Sequence, residues 1–365
     1  MDARRSNGSS LQIPVIDISE ASAADTAGQL VDAVARYGFV FVRGEGVGFT
    51  KQTLDNAFAL SQRFFSSTIE EKQECAIQAN NIGDSSPLTL SYKIPLERRG
   101  DFKEAMNFGE FTDGKAQQPL PPSLASHEAE LYHFGVLCHE LCIKLLRLFA
   151  LGLRIDPNQG GKDWFSSRHD PSQGSSGSVL RLLHYPAVEM DKSLDTTVDI
   201  RAGAHSDYGK RQCFRRFKEK NDFTKGIGSL TLLFQRASQP GLEILTRSSS
   251  WSPVPIQPPG TEDDSYPPIL VNIGDLMHFW TNGLLKSTVH RVVFPEGESE
   301  DRYSIAYFCH PSDHIEIEAV PSDMIRDRET EKRQQGVKTV TAEGYLKKRL
   351  AETYGWGKLQ SPERD

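Results

Sequence analysis

The second half of the chain alternates short apolar runs with turn-forming residues, and this pattern limits the possible folds more than any other feature. From Ser178 onward the runs are VLRLLHYP, IRAGAHSDYG, SLTLLFQ, GLEIL, PILVNIGDLMHFW, STVHRVVF and RYSIAYF. Each run has the length of one strand, and this spacing is typical of an antiparallel all-β domain. Strands in this number close most simply as a two-sheet jelly roll, which protects the sheet edges and leaves one open mouth.

The first half of the chain differs because its apolar residues recur at helical spacing. IPVIDI and YGFVFVRG are predicted strands on either side of a helix from about Ala24 to Tyr37, and a second helix is predicted from about Thr50 to Phe65. A buried helix is predicted within Leu131 to Leu153, and a polar helix around Ala342 to Tyr354. The predicted fold class is α+β, with a double-stranded β-helix (jelly-roll) core and packed N-terminal and C-terminal helices.

These elements divide the chain into four segments. Residues 1–120 form an N-terminal region of helices and strands, and residues 121–177 contain the long helix and a connector. Residues 178–320 form the jelly-roll domain, which carries an insertion at 210–228, and residues 321–365 contain the C-terminal helix and a tail.

The net charge limits the partners that are expected, and the cysteine spacing limits the state of the thiols. The formal net charge is -7 and there is no long Lys/Arg tract, so a nucleic-acid partner is not expected. The N-terminus has no apolar signal core, and charged residues interrupt the most apolar helix, so we expect a cytoplasmic protein without a membrane partner. We expect a monomer. No C-x-x-C pair occurs among the five cysteines, which favours reduced thiols over disulfides or a zinc knuckle: Cys75, Cys138, Cys142, Cys213 and Cys309.

Three side chains are candidate metal ligands. His205 and Asp207 are two residues apart in a predicted strand, so they point to the same face, and His290 lies in another predicted strand. Two imidazoles and one carboxylate leave open coordination positions on a metal, which suits Fe(II) that must also bind a co-substrate and O2. A closed structural zinc site would need a fourth ligand.

Arg302 and Ser304 are also two residues apart, one predicted strand after His290. A guanidinium forks two N–H donors toward a carboxylate and a serine hydroxyl adds a third donor, so the pair is a candidate anion site. An internal salt bridge is the structural alternative. The position one strand beyond a candidate metal ligand favours the anion site.

The order of these motifs resembles a known family. H-x-D, a distal His and R-x-S, preceded by RLLHYP and an N-terminal IPVID…YGF segment, look like the isopenicillin-N-synthase-like branch of the 2-oxoglutarate/Fe(II) dioxygenases. The resemblance covers about Ile13 to Tyr354. Within that branch, RLLHYPAV, IRAGAHSDYG, SLTLLFQ, KSTVHRVV and RYSIAYFCHP are most similar to the thymine dioxygenase (thymine 7-hydroxylase) group.

The resemblance implies catalytic and metal-binding roles for His205, Asp207 and His290 as iron ligands. It also implies a co-substrate site in which Arg302, Ser304 and Tyr185 bind the distal carboxylate of 2-oxoglutarate. Plant-like members carry an Asn where this chain has Leu183, so one co-substrate hydrogen bond found there is absent here. The implied cofactors are Fe(II), 2-oxoglutarate as co-substrate and O2, with ascorbate as a candidate reductant.

The implied reaction is oxidation of a small organic molecule by hydroxylation, desaturation or ring closure, with release of succinate and CO2, and specialised metabolism is a candidate setting. A thymine-type nucleobase hydroxylase is one alternative for the substrate. Two further functions remain open: an iron oxidase that does not use 2-oxoglutarate, and a catalytically silent barrel that binds a ligand or a partner protein.

Several more side chains that could serve a site are interpreted as structural. His184 should point away from Tyr185 and pack in the core or at the surface, and packing is also the interpretation of His278. His310 and His314 follow the last core strand and receive no role. For three apolar residues a substrate wall and core packing are equally good interpretations: Phe102, Met106 and Phe108.

Residues 210–228, KRQCFRRFKEKNDFTKGIG, interrupt the usual passage from HSDYG to SLTLLFQ. They carry seven Lys/Arg against Glu219 and Asp222. One hypothesis is a basic lid that helps to gate an acidic substrate. The other, which we prefer, is an intron retained in the gene model, because Gly209-Lys210-Arg211 can encode a splice donor and Ile227-Gly228 an acceptor.

Overall fold

The structure is a computed structural model that describes residues 11–19, 23–44, 47–78, 80–84, 103–187, 202–205, 228–293, 300–326 and 340–354, with the backbone alone at 202–205 and 351–354. The helices are α1 (Ala23–Tyr37), α2 (Lys51–Phe65), α3 (Ile69–Glu74), α4 (Pro122–Ala125), α5 (Glu128–Gly152), α6 (Trp164–Ser167), α7 (Asp275–Trp280), α8 (Asp323–Arg326) and α9 (Ala342–Tyr354). The strands are β1 (Val15–Ile16), β2 (Phe39–Val42), β3 (Gly83–Asp84), β4 (Glu104–Phe108), β5 (Phe111–Thr112), β6 (Lys115–Ala116), β7 (Val179–Tyr185), β8 (Ala202–His205), β9 (Leu230–Gln235), β10 (Leu242–Leu245), β11 (Trp251–Pro253), β12 (Ile269–Ile273), β13 (His290–Val292) and β14 (Arg302–Cys309).

Two sheets carry most of the strands. The large sheet has the order β1-β2-β12-β9-β14-β7-β4-β3, and the small sheet has the order β11-β10-β13-β8. β1 pairs with β2 in parallel, whereas the other pairings in both sheets are antiparallel. The N-terminal strands and β4 therefore extend the same large sheet that the second half of the chain forms.

The large sheet is buried on both faces. Alternate residues of β14 divide between the faces: Ile305 packs in the cluster formed with the helices, and Ala306 packs in a second cluster. That second cluster also contains Ile244 and Val292 of the small sheet. Because apolar side chains from both sheets meet there, the space between the sheets is a separate interior with its own lining.

Helices cover the other face of the large sheet. α5 is the longest of the described helices and buries Leu131, Phe134, Leu145 and Phe149 within the cluster on this side. α1 packs along α5, and α2 contacts β7 and β14. The helices thus support the sheet from behind and leave its other face to the interior.

The sequence predicted several helices within a few residues. α1, α2 and α9 match the predicted bounds closely, and the Thr50 side chain caps α2 by accepting a hydrogen bond from the Thr53 N–H. The prediction of a single strand over PILVNIGDLMHFW was wrong for its second half, because this run forms β12 and then α7. The fold is a mixed α and β structure with two main sheets.

None of the helices in the described part of the chain is both long enough and apolar enough to cross a membrane. The cysteines that the structure describes are free and buried: Cys75, Cys138, Cys142 and Cys309. Cys213 lies outside the described residues.

Candidate active site

His290 is the first residue of β13 and is half-buried. In the small sheet it pairs with Ile244 of β10 on one side and with His205 of β8 on the other. Its ring contacts Phe39 of the large sheet edge-on, with 5.5 Å between ring centroids. The His290 side chain therefore faces the interior between the two sheets.

The proton of the His290 ring is held on one nitrogen. Nδ1 lies 3.0 Å from the Thr288 carbonyl oxygen, and since a carbonyl can only accept, Nδ1 donates. Burial lowers the pKa of His290 to about 4, so the ring is neutral at physiological pH. A neutral imidazole that donates from Nδ1 offers Nε2 as a metal ligand.

The segment before His290 is fixed by the N-terminal part of the chain. The Thr288 hydroxyl donates a hydrogen bond of 2.8 Å to the Tyr37 carbonyl. Gly38 has a positive φ of +76°, and a Cβ atom at this residue would lie 2.2 Å from Thr288 Oγ1. The glycine is needed both for its backbone conformation and for this close approach.

His205 and Asp207 can be compared with the structure only in part. The backbone of His205 is in β8, directly opposite His290 in the ladder, and Asp207 lies outside the described residues. Within the described part of the chain, no group of three His, Cys, Asp or Glu residues is arranged to hold a metal. The three predicted iron ligands therefore stay a prediction, and the register of His205 opposite His290 is compatible with it.

Arg302 begins β14 and is among the most buried side chains, with 1% of its surface exposed. Its Nε donates to the carbonyls of Gln239 and Pro240, both at 3.1 Å, and Nη2 donates to Gln235 Oε1 at 3.1 Å. Nη1 lies 3.4 Å from Ser304 Oγ. Among the described residues no carboxylate lies within ion-pair distance of this guanidinium, so the salt-bridge alternative has no partner there.

Tyr185 and Ser304 lie beside Arg302 on the same face of the large sheet. Tyr185 is directly opposite Arg302 in the β7–β14 ladder, and the Arg302 guanidinium carbon is 5.1 Å from the centroid of its ring. Ser304 is 1% exposed. Burial lowers the pKa of the Arg302 guanidinium, and Tyr185 opposes this shift. An arginine stays charged even so, and this one is a buried cation whose described partners are all neutral.

The histidines interpreted as structural are held by the core. His184 is buried on the helix side of the sheet, opposite to Tyr185, with Nδ1 at 2.7 Å from Glu104 Oε2 and its ring stacked on Tyr303. His278 lies in α7 and bonds the Leu285 carbonyl through Nδ1 at 2.9 Å. Burial lowers the pKa of His310 to about 4.

The substrate-wall interpretation is wrong for Met106 and Phe108. Both are fully buried in the cluster on the helix side, whereas Ala105, beside Met106, faces the interior. Phe102 lies outside the described residues. Sequence reasoning missed Gly38, Thr288 and Gln239, whose partners are distant in the chain; only the glycine of the YGF motif was a visible signal.

Comparison with known proteins identifies the family. The model of the 2OG-Fe(II) oxygenase superfamily matches residues 177–311, and the model described as non-haem dioxygenase in morphine synthesis N-terminal matches residues 13–127. UPF0676 protein C1494.01 of Schizosaccharomyces pombe is 33% identical over 95% of this chain and 94% of its own length. A 2-oxoglutarate-Fe(II) type oxidoreductase, ppzD of Metarhizium majus, is 31% identical over 78% of each chain.

Solved structures agree with this family. Thymine 7-hydroxylase of Neurospora crassa in complex with alpha-KG superposes with a TM-score of 0.73 at 28% identity, over 94% of this chain and 98% of that one. The same enzyme in complex with alpha-KG and thymine gives a TM-score of 0.72 over 95% and 99%. The chain belongs to the 2OG-Fe(II) oxygenase superfamily and is a non-haem iron and 2-oxoglutarate-dependent dioxygenase.

Proposed function

We propose that the strands which residues 178–320 contribute to the two sheets form the halves of a double-stranded β-helix, and that His205, Asp207 and His290 hold Fe(II) at its mouth. The neutral His290 ring, with its proton on Nδ1, is in the form that binds a metal. The backbone of His205 lies directly across the ladder from His290, and directly opposed residues of an antiparallel pair project to one face. Asp207 would complete the facial set of three ligands.

Arg302 is proposed to bind the distal carboxylate of 2-oxoglutarate, with Ser304 and Tyr185 as further donors. The observation that carries this assignment is the burial of a guanidinium, 1% exposed, with no carboxylate among its described partners. Burying a charge is costly unless an opposite charge accompanies it, so the site favours an anionic ligand. The carboxylate of the co-substrate supplies that charge.

Iron and 2-oxoglutarate, when bound, supply the oxidation of a substrate C–H bond by O2, with one oxygen atom entering succinate, the other entering the product, and CO2 released. The residues of this chain position the reactants. His290 stays neutral because its ring is shielded from water between the two sheets, and Arg302 orients the co-substrate along the interior. The apolar lining that includes Phe41, Leu183 and Val292 excludes water from the reaction.

The substrate is proposed to be a small organic molecule that is hydroxylated in the cytoplasm by a monomeric enzyme. The two substrate classes to compare are a specialised metabolite and a nucleobase of the thymine type. The second has its own support, because thymine 7-hydroxylase has been solved with thymine and superposes over nearly the whole chain. A nucleic acid is not an expected partner, because the formal net charge is -7.

Succinate release tests the proposal. Purified protein, Fe(II), ascorbate and 2-oxoglutarate are incubated with a panel that includes thymine, uracil, free proline and further small amino acids. We expect succinate to form one-for-one with an oxidised product for at least one compound. Substrate oxidation that proceeds without 2-oxoglutarate would instead support the iron oxidase, and failure to bind Fe(II) under anaerobic conditions would support the silent barrel.

A further inference from the structure

Gln239 lies in the short turn that joins β9 of the large sheet to β10 of the small sheet. Its N–H donates to the Arg236 carbonyl at 3.0 Å, which closes the turn. β9 pairs with β14 only as far as Gln235, which lies opposite Ser304. The start of β14, where Arg302 is found, is therefore beyond the last backbone pair on this side.

The side-chain amide of Gln239 takes the place of the missing backbone pair. Its Nε2 donates to the Asp301 carbonyl at 2.8 Å, and its Oε1 accepts from the Tyr303 N–H at 2.8 Å. In a continued antiparallel ladder these two bonds would come from the neighbouring strand, with the N–H of one residue and the carbonyl of another. The amide thus bonds the backbone on both sides of Arg302.

The main chain of the same turn holds the Arg302 side chain. The carbonyls of Gln239 and Pro240 both accept from Arg302 Nε at 3.1 Å. One residue therefore bonds the backbone that flanks the arginine and also bonds its guanidinium. These hydrogen bonds from Nε to the turn fix the orientation of the Arg302 guanidinium.

We propose that Gln239 is a positioning residue for co-substrate binding. It holds the start of β14 and the guanidinium of Arg302 in the orientation that binds the distal carboxylate of 2-oxoglutarate. This inference rests on the proposed role of Arg302. It assigns to Gln239 no contact with 2-oxoglutarate, substrate or iron.

The test compares two substitutions with a matched control. Gln239→Met keeps the length of the side chain and removes both hydrogen bonds of its amide group. Gln239→Glu removes the donor to the Asp301 carbonyl and keeps the acceptor for the Tyr303 N–H. The control is Gln159→Met, at an exposed glutamine whose amide bonds Asp156 at 3.1 Å. Each protein is loaded with Fe(II) without oxygen and titrated with 2-oxoglutarate, following the visible charge-transfer band. Fe(II) affinity and the thermal midpoint are measured separately.

We expect the dissociation constant of 2-oxoglutarate to rise about tenfold in Gln239→Met, the effect of losing ordinary hydrogen bonds. It should rise in Gln239→Glu as well, while Fe(II) affinity stays at the wild-type value in both variants and Gln159→Met binds like wild type. An unchanged constant in folded Gln239→Met overturns the inference, and so does a parallel loss of Fe(II). Should the Met variant not fold, an unchanged constant in the Glu variant overturns it. Wild-type protein that binds iron but no 2-oxoglutarate would instead refute the role of Arg302.

Discussion

At the scale of single residues, iron binding and co-substrate binding should separate by mutation. Arg302→Ala removes the buried cation, so we expect the dissociation constant of 2-oxoglutarate to rise about a hundredfold or more while Fe(II) still binds. His290→Ala should abolish Fe(II) binding. Anaerobic titrations measure both constants, and Arg168→Ala, at an arginine paired with Glu318 at 3.0 Å, is the control. Equal loss of iron in Arg302→Ala and His290→Ala would contradict the assignment of Arg302.

Gly38 should affect iron through Thr288. In Gly38→Ala the new Cβ would press on Thr288 Oγ1 and the residue would keep a strained positive φ, which displaces the segment that holds His290. We expect Fe(II) affinity to fall about tenfold, together with the thermal midpoint. The control is Gly28→Ala in α1, where nothing lies within 4 Å of the added Cβ and the midpoint should rise. Wild-type iron affinity in Gly38→Ala would refute the link.

Residue-scale prediction from the sequence succeeded where the signal was local. The period of two along RYSIAYF indicated that Arg302 and Ser304 share a face, and the structure has both side chains buried on the inner face of β14. Gln239 gave no such signal, because its side chain bonds Asp301, which is 62 residues away. A glutamine in a turn is normally interpreted as solvated. Only the folded chain reveals that it completes a ladder.

At the scale of elements, residues 210–228 should be dispensable. Their removal joins Gly209 to Ser229 and keeps a glycine at the position of Gly228, where a Cβ atom would lie 2.6 Å from the Cys309 carbonyl. We expect the shortened protein to fold and to bind Fe(II) at least as well as the full chain. The same deletion with Gly209→Ala should lower the thermal midpoint. Loss of Fe(II) binding on deletion would support a functional loop, and a transcript that encodes Lys210 to Gly228 would exclude a retained intron.

A group of buried polar side chains joins three elements on the helix side of the large sheet. Glu104 of β4 bonds Lys72 of α3 at 3.1 Å and His184 of β7 at 2.7 Å. Burial raises the pKa of Glu104, but hydrogen bonds from His184 and Lys72 outweigh it, so its pKa is below the ordinary 4.5. Glu104→Gln leaves Lys72 buried without its charge partner and should lower the free energy of unfolding by about 3 kcal/mol at pH 7.

Urea unfolding at pH 7 and pH 4 checks this prediction. A carboxylate with a lowered pKa stabilises the folded state at pH values above its ordinary pKa of 4.5, and this stabilisation is lost as the pH falls through the lowered pKa. The difference in free energy of unfolding between Glu104→Gln and wild type should therefore shrink at pH 4. Glu128→Gln, at an exposed pair with Lys115 at 2.6 Å, should resemble wild type at both values. A Glu104→Gln difference that does not change with pH would contradict the charged interaction.

Elements were predictable from the sequence when their own periodicity determined them. α1 and α2 each bury one face, α2 begins after the capping residue Thr50, and the bounds of α1, α2 and α9 followed from the local sequence pattern. β4 was not predicted, because EAMNF has no alternation that distinguishes it from a loop, and its place depends on pairing with β7 about 80 residues later. Likewise α7 continues the apolar run of β12, and its first turn makes a distant contact that the sequence does not indicate, because the Leu276 N–H donates to the Gly228 carbonyl at 3.2 Å.

At the scale of the whole molecule, the large sheet serves two interiors at once. Its helix-side face is a conventional apolar core, and its other face carries Arg302, Ser304 and Tyr185 toward the small sheet. The sequence indicated two sheets, but it did not indicate that N-terminal strands and β4 would widen one of them. That widening bears on the proposed site, because Phe39 on β2 contacts His290, and Glu104 on β4 bonds His184, the neighbour of Tyr185 in β7.

The whole fold should lose stability as the pH falls below neutrality, because it buries neutral histidines. Burial lowers the pKa of His169 to about 3 and that of His310 to about 4, so the unfolded chain takes up protons below its ordinary pKa of 6.5 while the folded chain does not. The free energy of unfolding should therefore be highest above pH 6.5 and decline steadily toward pH 4. Urea unfolding across this range measures the slope. His310→Leu should make the decline shallower, whereas His133→Leu, at an exposed position of α5, should leave it as in wild type; a His310→Leu slope equal to that of wild type would show that this ring does not drive acid unfolding.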